Sequence, residues 1–583
     1  MTNEPRPKPL FYVALLAVVI GLLGYAFRNT LFPKGKDAGN QFTITKEELA
    51  KGGTEGVEGA DANVPTTVKE YTFKASEKLP PVKETSAYQP LQARTVKFAL
   101  NVWAGWAPII LQNNGPAAGK LWETPGKEPF KVELVLIDNP VSMRDAYAAG
   151  KVHVGWGTLD MVPLFMDEFR KDSRIFPRIF QQVDFSNGGD GIVIRRSAAK
   201  DPQNPTMSDL RKKKVVLAQN SPSEYFLLNA LINGGVQPGE VEFKYTEDAF
   251  QAAAAFNADK SIAACVSWAP DIYTLAKIPE NHMLVSTATA NKLIADVWFA
   301  RADFARDNPD ICEGLVRGIF AGMATLKTEA GRAGAARLMS TLYGLPEPDT
   351  LGMMGDAHST NYAENRDFFM NSNNPANFER TWNTAYLLYR KMGRVQTPVP
   401  FDQVMDFSIL QKLGSEEPFL NSRNEYQINF APKSVQSIKA EGTEILTKVI
   451  TVHFAPNSWE LKKKLVVREN NQDVEKLYEP NAEAILEDVA KLAGQYGGAN
   501  IVIEGHTDAS MKGQVSPNLV KDLANNRAAS VKQELLNKYT SLNPNQFSTE
   551  GIGWDRPADA TDPENHAKNR RVEIKVIALE HPE

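Results

Sequence analysis

The chain has 583 residues, too many for one hydrophobic core, so at least two folded domains with connectors are expected. An apolar fraction of 43%, a charged fraction of 23% and a net charge of -5 describe ordinary globular protein and exclude a strongly basic nucleic-acid binder. Only two cysteines occur, Cys265 and Cys312, which excludes a disulfide framework and leaves at most one bridge.

In chain order, Leu10 to Phe27 comes first, 18 residues without a charge. At ~1.5 Å per residue this just crosses a hydrocarbon core of ~30 Å, so 10–27 is expected to be a transmembrane helix. The run exceeds the ~7–15 residues of a signal-peptide core and no small-x-small site follows, which favours an uncleaved anchor. Arg6 and Lys8 before it nearly balance Arg28, Lys34 and Lys36 after it, so flanking charge does not orient the span. Residues 28–94 are rich in Gly, Pro and charge; they bury too little to offset their ordering entropy and read as a flexible tether.

From residue 95 the pattern becomes that of folded protein. Strands are expected at 96–103, 132–137, 151–157, 191–195, 215–218 and 241–245, separated by helical stretches such as SMRDAYAAG and SEYFLLNALINGG. Strands alternating with helices imply parallel sheet covered by helices, and 95–412 is long enough for two α/β lobes. Residues 303–395 read as mostly helical. A poorly patterned connector, 413–440, leads to a last domain, 441–583. There a strand at 449–454, a helix at 481–496, strands at 500–506 and near Gly551, a helix at about 518–539 and a strand at 571–579 make a compact α+β unit. Ile485, Val489, Leu492 and Tyr496 keep helical spacing, and Val572, Ile574 and Val576 alternate as on a half-buried strand.

Polar and aromatic residues gather where the strands of 95–412 end, the place where α/β folds bind ligands. The candidates are Trp103 and Trp106 after the first strand, Asp160, Ser186 and Asp190, Ser221 and Ser223, Trp268 and Asp271, and Asp296. Each has a structural alternative. Ser221, with Pro222 next and Glu224 three on, reads as a capping box, Asp160 or Asp271 can cap a helix, and the tryptophans can be core. Aromatic faces with carboxylates favour an amine, another cation or a zwitterion; the helix start at Ser221 and Ser223 favours an oxyanion. The sequence leaves both open.

In the last domain Leu519, Leu523, Val531 and Leu535 recur every four residues and Arg527 falls on the same stripe. A guanidinium there needs water or a fixed anion. Asp508 follows the strand 500–506, and an Asp and an Arg across a groove suit a zwitterion. His506 reads as a turn and packing residue, since no second His or Cys stands at ligand spacing.

The segments IVIEGHTD, LANNRAASV, GIGWDRP and NRRVEIKV, with Phe454 to Ser458 before them, resemble OmpA-like peptidoglycan-binding domains over roughly 441–580. The resemblance implies that Asp508 and Arg527 clamp the diaminopimelate of a peptide stem, with Thr507, Asn569 and Arg571 in or supporting the groove. This chain departs from the pattern in a longer Asp-to-Arg interval and in Val520, Leu523 and Ala524. The W-x-G-W-x-P turn, the S-N-G-G-D-G-I-V crossover and DLRKKKVVLAQNSPSEYFLLNALINGG resemble periplasmic substrate-binding proteins of the nitrate/taurine/sulfonate type, over about 95–345. That resemblance implies two lobes closing on a small solute by hinge motion.

Together these imply a non-enzymatic protein of the bacterial inner membrane, with 28–583 in the periplasm, a small solute and peptidoglycan as ligands, a membrane partner, and no nucleic acid. No cysteine cluster, paired His/Cys/Asp motif or phosphate loop points to catalysis, a cofactor or a metal. An alternative is a MotB-like stator or envelope-machine scaffold in which the two-lobed domain is structural. Leu10 to Phe27 lacks the ionisable residue an ion-driven stator carries in its span.

Overall fold

The computed structural model describes residues 66–469 and 472–579. The helix expected over 10–27 and the first part of the tether lie outside them. Among the described residues no helix is long and apolar enough to cross a membrane.

Two sheets build the two expected lobes. In the first, β1 (Thr95–Leu100) runs parallel to β3 (Pro129–Leu136) and β4 (Val154–Thr158), with β2 (Leu121–Glu123) on the edge. Phe130, Val132 and Leu134 of β3 are buried at every second position, as a pleated strand covered on that face requires. β5 (Pro177–Ser186) then carries the chain into a second sheet of β6 (Asp190–Arg195), β7 (Lys214–Ala218), β8 (Glu242–Thr246), β9 (Ala264–Trp268) and β10 (Asn281–Ser286). β11 (Ala295–Arg301) returns to the first sheet and pairs antiparallel with β4 and β5, and β12 (Ala357–Ser359) closes that edge. Between their strands the two sheets are thus joined at 187–189 and at 287–294. Helices Pro309–Leu326, Glu329–Tyr343 and Phe378–Lys391 account for the helical reading of 303–395.

Residues 66–94 correct the expectation of a loose tether. They carry almost no regular structure, yet their backbone is docked along both lobes. Lys74 N donates to Tyr245 O at 2.7 Å, Ser86 N to Ala148 O at 3.1 Å and Gln89 N to Gly150 O at 3.0 Å. Arg144 donates to Pro80 O at 2.7 Å, and the fully buried Arg301, paired with Asp303 at 2.8 Å, donates to Ser86 O. Composition misled here because main-chain carbonyls, which composition does not register, supply the contacts. Cys265 and Cys312 are buried free thiols, one in β9 and the other in the helix Pro309–Leu326.

The C-terminal sheet has the order β13 (Gly442–Thr451), β18 (Arg571–Leu579), β16 (Ala499–His506), β17 (Phe547–Gly553). The helices Ala482–Gln495 and Pro517–Lys538 pack on it, and β16 pairs parallel with β17 and antiparallel with β18. Its first strand lies earlier than the expected 449–454, because pairing with β18 runs from Gly442 opposite Leu579 to Thr451 opposite Arg571. The buried stripe of Pro517–Lys538 is Val520, Ala524, Arg527, Ala528, Val531 and Leu535. Leu519 is exposed, so the four-residue stripe was displaced by one position at its start. A hairpin of β14 (Lys464–Glu469) and β15 (Gln472–Leu477), absent from the sequence reading, stands out from this domain with Leu465, Val466 and Val467 exposed.

Candidate functional site

Between the lobes lies a cavity of about 210 Å³, walled by the ends of β1, β4, β6, β7, β9 and β11 and the segments that follow β3 and β8. Five of the ten sequence candidates face it: Trp103, Asp190, Ser221, Trp268 and Asp296. They meet because each follows or precedes a strand at the edge that the two sheets turn toward one another. The sequence reading missed Trp156, Thr158, Asp138, Glu247 and Asp248 in the same wall. Glu247 and Asp248 obey the rule used for the others, since they follow β8 directly.

The remaining candidates do not line the cavity. Trp106 is core: it is fully buried against Phe98, and its Nε1 donates to Asn101 Oδ1 at 2.7 Å. Asp271 accepts from the backbone N–H of Thr67 at 2.9 Å and from its hydroxyl at 2.6 Å, so it secures the docked strap. Ser186 stands behind the wall and donates to Asp190 Oδ2 at 2.7 Å. Ser223 is fully buried with no partner for its hydroxyl. The capping box expected at Ser221 does not form. Ser221 Oγ donates to Ala218 O, while Glu224 accepts from Asn220 N and pairs with the buried Arg394 at 3.1 Å. Asn220 adopts φ 55°, which turns its N–H onto the glutamate.

The electrostatics of the wall are one-sided. Asp138, Asp190, Glu247, Asp248 and Asp296 line the cavity, and among the described residues no Lys, Arg or His does. Asp160 lies just behind, fully buried, with neither carboxylate oxygen hydrogen-bonded. Burial pushes Asp160 up to about 8 and Asp190 up to about 7. Asp184 and Asp296 stand directly opposite in the register of β5 and β11. Burial first, and then the charge of Asp190, raise both; the charge of Asp184 raises Asp296 further, while hydrogen bonds from Trp103 and Asp296 draw Asp184 back, so the pair retains a proton. Trp103 Nε1 donates to Asp184 at 3.3 Å. Gly105 is demanded by this packing, because a Cβ there would stand 1.6 Å from Asp184 Oδ2. Lys74 is an outer partner of Glu247 at 3.0 Å, with both side chains about half exposed.

In the C-terminal domain Asp508 follows β16 and Arg527 sits on the buried stripe of Pro517–Lys538. The side chain of Arg527 lies over the Phe454 ring, 5.0 Å from its centroid, and Nε donates to Ser458 O at 3.1 Å. Burial and the neighbouring Arg570 lower Arg527 to about 10, against the opposing pull of Asp508. Asp508 does not pair directly with Arg527. It accepts from Ser510 and from Arg570 Nε at 2.6 Å, with His566 at 3.1 Å. Against the cost of burial, these bonds hold its carboxyl well below the usual range. Arg570 and His566 were missed, although Arg570 lies inside the quoted NRRVEIKV. Asn569 and Arg571 support the loop instead: Asn569 Oδ1 accepts from Ala558 N at 2.9 Å, and Arg571 donates to Arg556 O at 3.0 Å. Thr507 is buried with an unpaired hydroxyl beside them. His506, also buried, lies 3.6 Å from Glu573, and Glu504 is already paired with Lys439 at 2.6 Å and with Arg556.

Residues 471–571 match the family described as the OmpA family. The chain is 25% identical over 183 residues to the taurine-binding periplasmic protein of Escherichia coli, in an alignment that takes 31% of this chain. It spans about half, 52%, of the length of that curated relative. Among solved structures, the periplasmic aliphatic sulphonate binding protein of Escherichia coli aligns with 54% of this chain and 97% of its own, at 17% identity and a TM-score of 0.40. The periplasmic nitrate-binding protein of Synechocystis aligns with 55% of this chain and 89% of its own, at 14% identity and a TM-score of 0.41. The family match agrees with the first resemblance read from the sequence and the curated relative with the second: residues 471–571 match the OmpA family, and a two-lobed α/β domain precedes them.

Proposed function

We propose that the chain is held in a bacterial inner membrane by residues 10–27, exposes residues 28–583 to the periplasm, binds a small solute between its lobes and grips peptidoglycan with its last domain. The observation that carries the wall-binding half is the placement of Asp508 and Arg527. The two are close enough for each charge to act on the other, and they are held apart by separate partners, Arg570 for the acid and Ser458 for the base. A diaminopimelate carries both an ammonium and a carboxylate on one carbon, and an acid and a base presented separately match it in charge and geometry. Arg570 occupies the carboxylate in the unliganded domain and would yield to the ligand ammonium. The solute-binding half rests on the cavity that lies between the two lobes, a place where such folds bind ligands and close by hinge motion.

Co-sedimentation of the purified chain with isolated sacculi tests the first half. Asp508→Ala and Arg527→Ala are each expected to lower the bound fraction at least tenfold. Binding retained by both variants would remove the clamp and leave a membrane-held receptor.

A further inference from the structure

The wall of the interlobe cavity says what charge its occupant carries, which is a step beyond the reading that the cleft binds a solute and rests on that reading. We infer that the solute is a small organic cation with N–H donors, its charge set against Asp190 and Asp296 and its carbon skeleton among Trp103, Trp156 and Trp268. Three tryptophan and five carboxylate side chains line one cleft, and among the described residues no Lys, Arg or His lines it. Indole faces attract cations through the ring quadrupole, and carboxylates accept from ammonium or amidinium N–H groups.

Two independent features point to an occupant. Thr158 is 2% exposed and lines the cavity, and its hydroxyl makes no well-formed hydrogen bond, with only the buried Asp160 carboxyl near enough to act on it. Trp268, braced edge-on by Phe250 at 5.9 Å, likewise leaves its Nε1–H unpaired in the wall. Buried polar groups are ordinarily satisfied, so such orphans mark places that a ligand completes. Behind the wall burial raises Asp160 and Asp184, and a bound cation would lower the cost of their ionising.

The strongest feature favouring an anion is the start of three helices at the wall, Pro140–Ala148, Pro222–Asn233 and Ala249–Ala258. Each terminus is equivalent to roughly half an elementary positive charge, but the side chains of Asn139 and Asp248 already cap the first and the third. The remainder is outweighed once two of the five wall carboxylates are ionised. The Ser221 hydroxyl, which would help hold an oxyanion, is already spent on Ala218 O at 2.9 Å.

Isothermal titration calorimetry of the purified full chain separates the outcomes. The cationic probes are putrescine, agmatine and benzylammonium, and the anionic probes are methanesulfonate and nitrate. The expected result is saturable one-site binding of at least one cation and none of either anion. Asp296→Asn should weaken that cation about tenfold or more, and Trp268→Leu severalfold, with the circular dichroism spectrum of each variant unchanged. Binding of methanesulfonate or nitrate with no cation bound would overturn the inferred charge and leave the solute-binding reading standing. Silence from every probe would overturn both. Cation binding that is indifferent to both substitutions would place the cation elsewhere and overturn the assignment to this cavity.

Discussion

Asp160 is a fully buried acid that the Thr158 hydroxyl and a backbone N–H offset only in part, and Asp190, Asp296, Tyr225 and Tyr389 are the titratable groups whose charges act on it or feel it. Its folded pKa, about 8, lies above the 3.8 of an unperturbed aspartate. The folded state therefore holds a proton that the unfolded chain releases, and the stability this confers is complete below about pH 4 and lost as the pH rises to about 8. Asp160→Asn removes that dependence. Thermal melts from about pH 6.5 to 8.5 are expected to show the variant gaining on the native protein by on the order of 1 kcal/mol per pH unit. Parallel curves would mean that the acid is not neutral when buried. Which acids matter was partly legible at this scale: Asp190 and Asp296 follow from position at strand ends. Asp271 obeys the same rule and fails it, because Thr67, more than 200 positions away in the chain, takes its carboxylate. No local pattern carries that information.

Glycines decide how the long helix of the last domain seats on its sheet. A Cβ on Gly505 would stand 2.0 Å from Ala524 O, and one on Gly551 would stand 2.0 Å from Lys521 O, so β16 and β17 touch the helix backbone itself. This close approach also brings Asp508, three residues past Gly505, to the side of the helix that carries Arg527. Gly505→Ala should cost about 1–3 kcal/mol through overpacking, read as a lower denaturation midpoint, and should weaken sacculus binding. Gly239→Ala, where no atom lies within 4 Å of the new methyl, should be near neutral. Periodicity located both the helix and the strand, and the quoted GIGWDRP and IVIEGH contain both glycines. The depth of the contact is a property of two elements together. The hairpin β14–β15 went unread because its apolar residues face solvent, so no buried face imposes the alternation that marks a strand.

The two lobes and the last domain form one packed body. Arg380 pairs with Glu487 at 2.7 Å, Asn229 of the second lobe bonds Gln495 at 3.1 Å, and Gly498 N donates to Thr289 O at 3.0 Å in the second interlobe crossing. Gly494 meets Pro375, and a Cβ on Gly498 would lie 2.3 Å from Ala288 O. The expected connector is docked as well: the Tyr426 hydroxyl donates to Asn187 at 2.7 Å in the first crossing, and its ring stacks on His358 at 3.9 Å. Scanning calorimetry should therefore record one cooperative transition for both domains, and Gly498→Val should split it into two. Two transitions in the native chain would show that the interface is too weak to couple them. The sequence by itself determined the two lobes, the C-terminal α+β unit and their order, because periodicity and short motifs are local and each element obeys them alone. Only the tertiary structure decided that residues 66–94 are docked, that the domains share an interface and that the cleft wall is anionic. Each of those depends on groups brought together from distant parts of the chain, and main-chain carbonyls and backbone-to-backbone clearances leave no mark on composition or spacing.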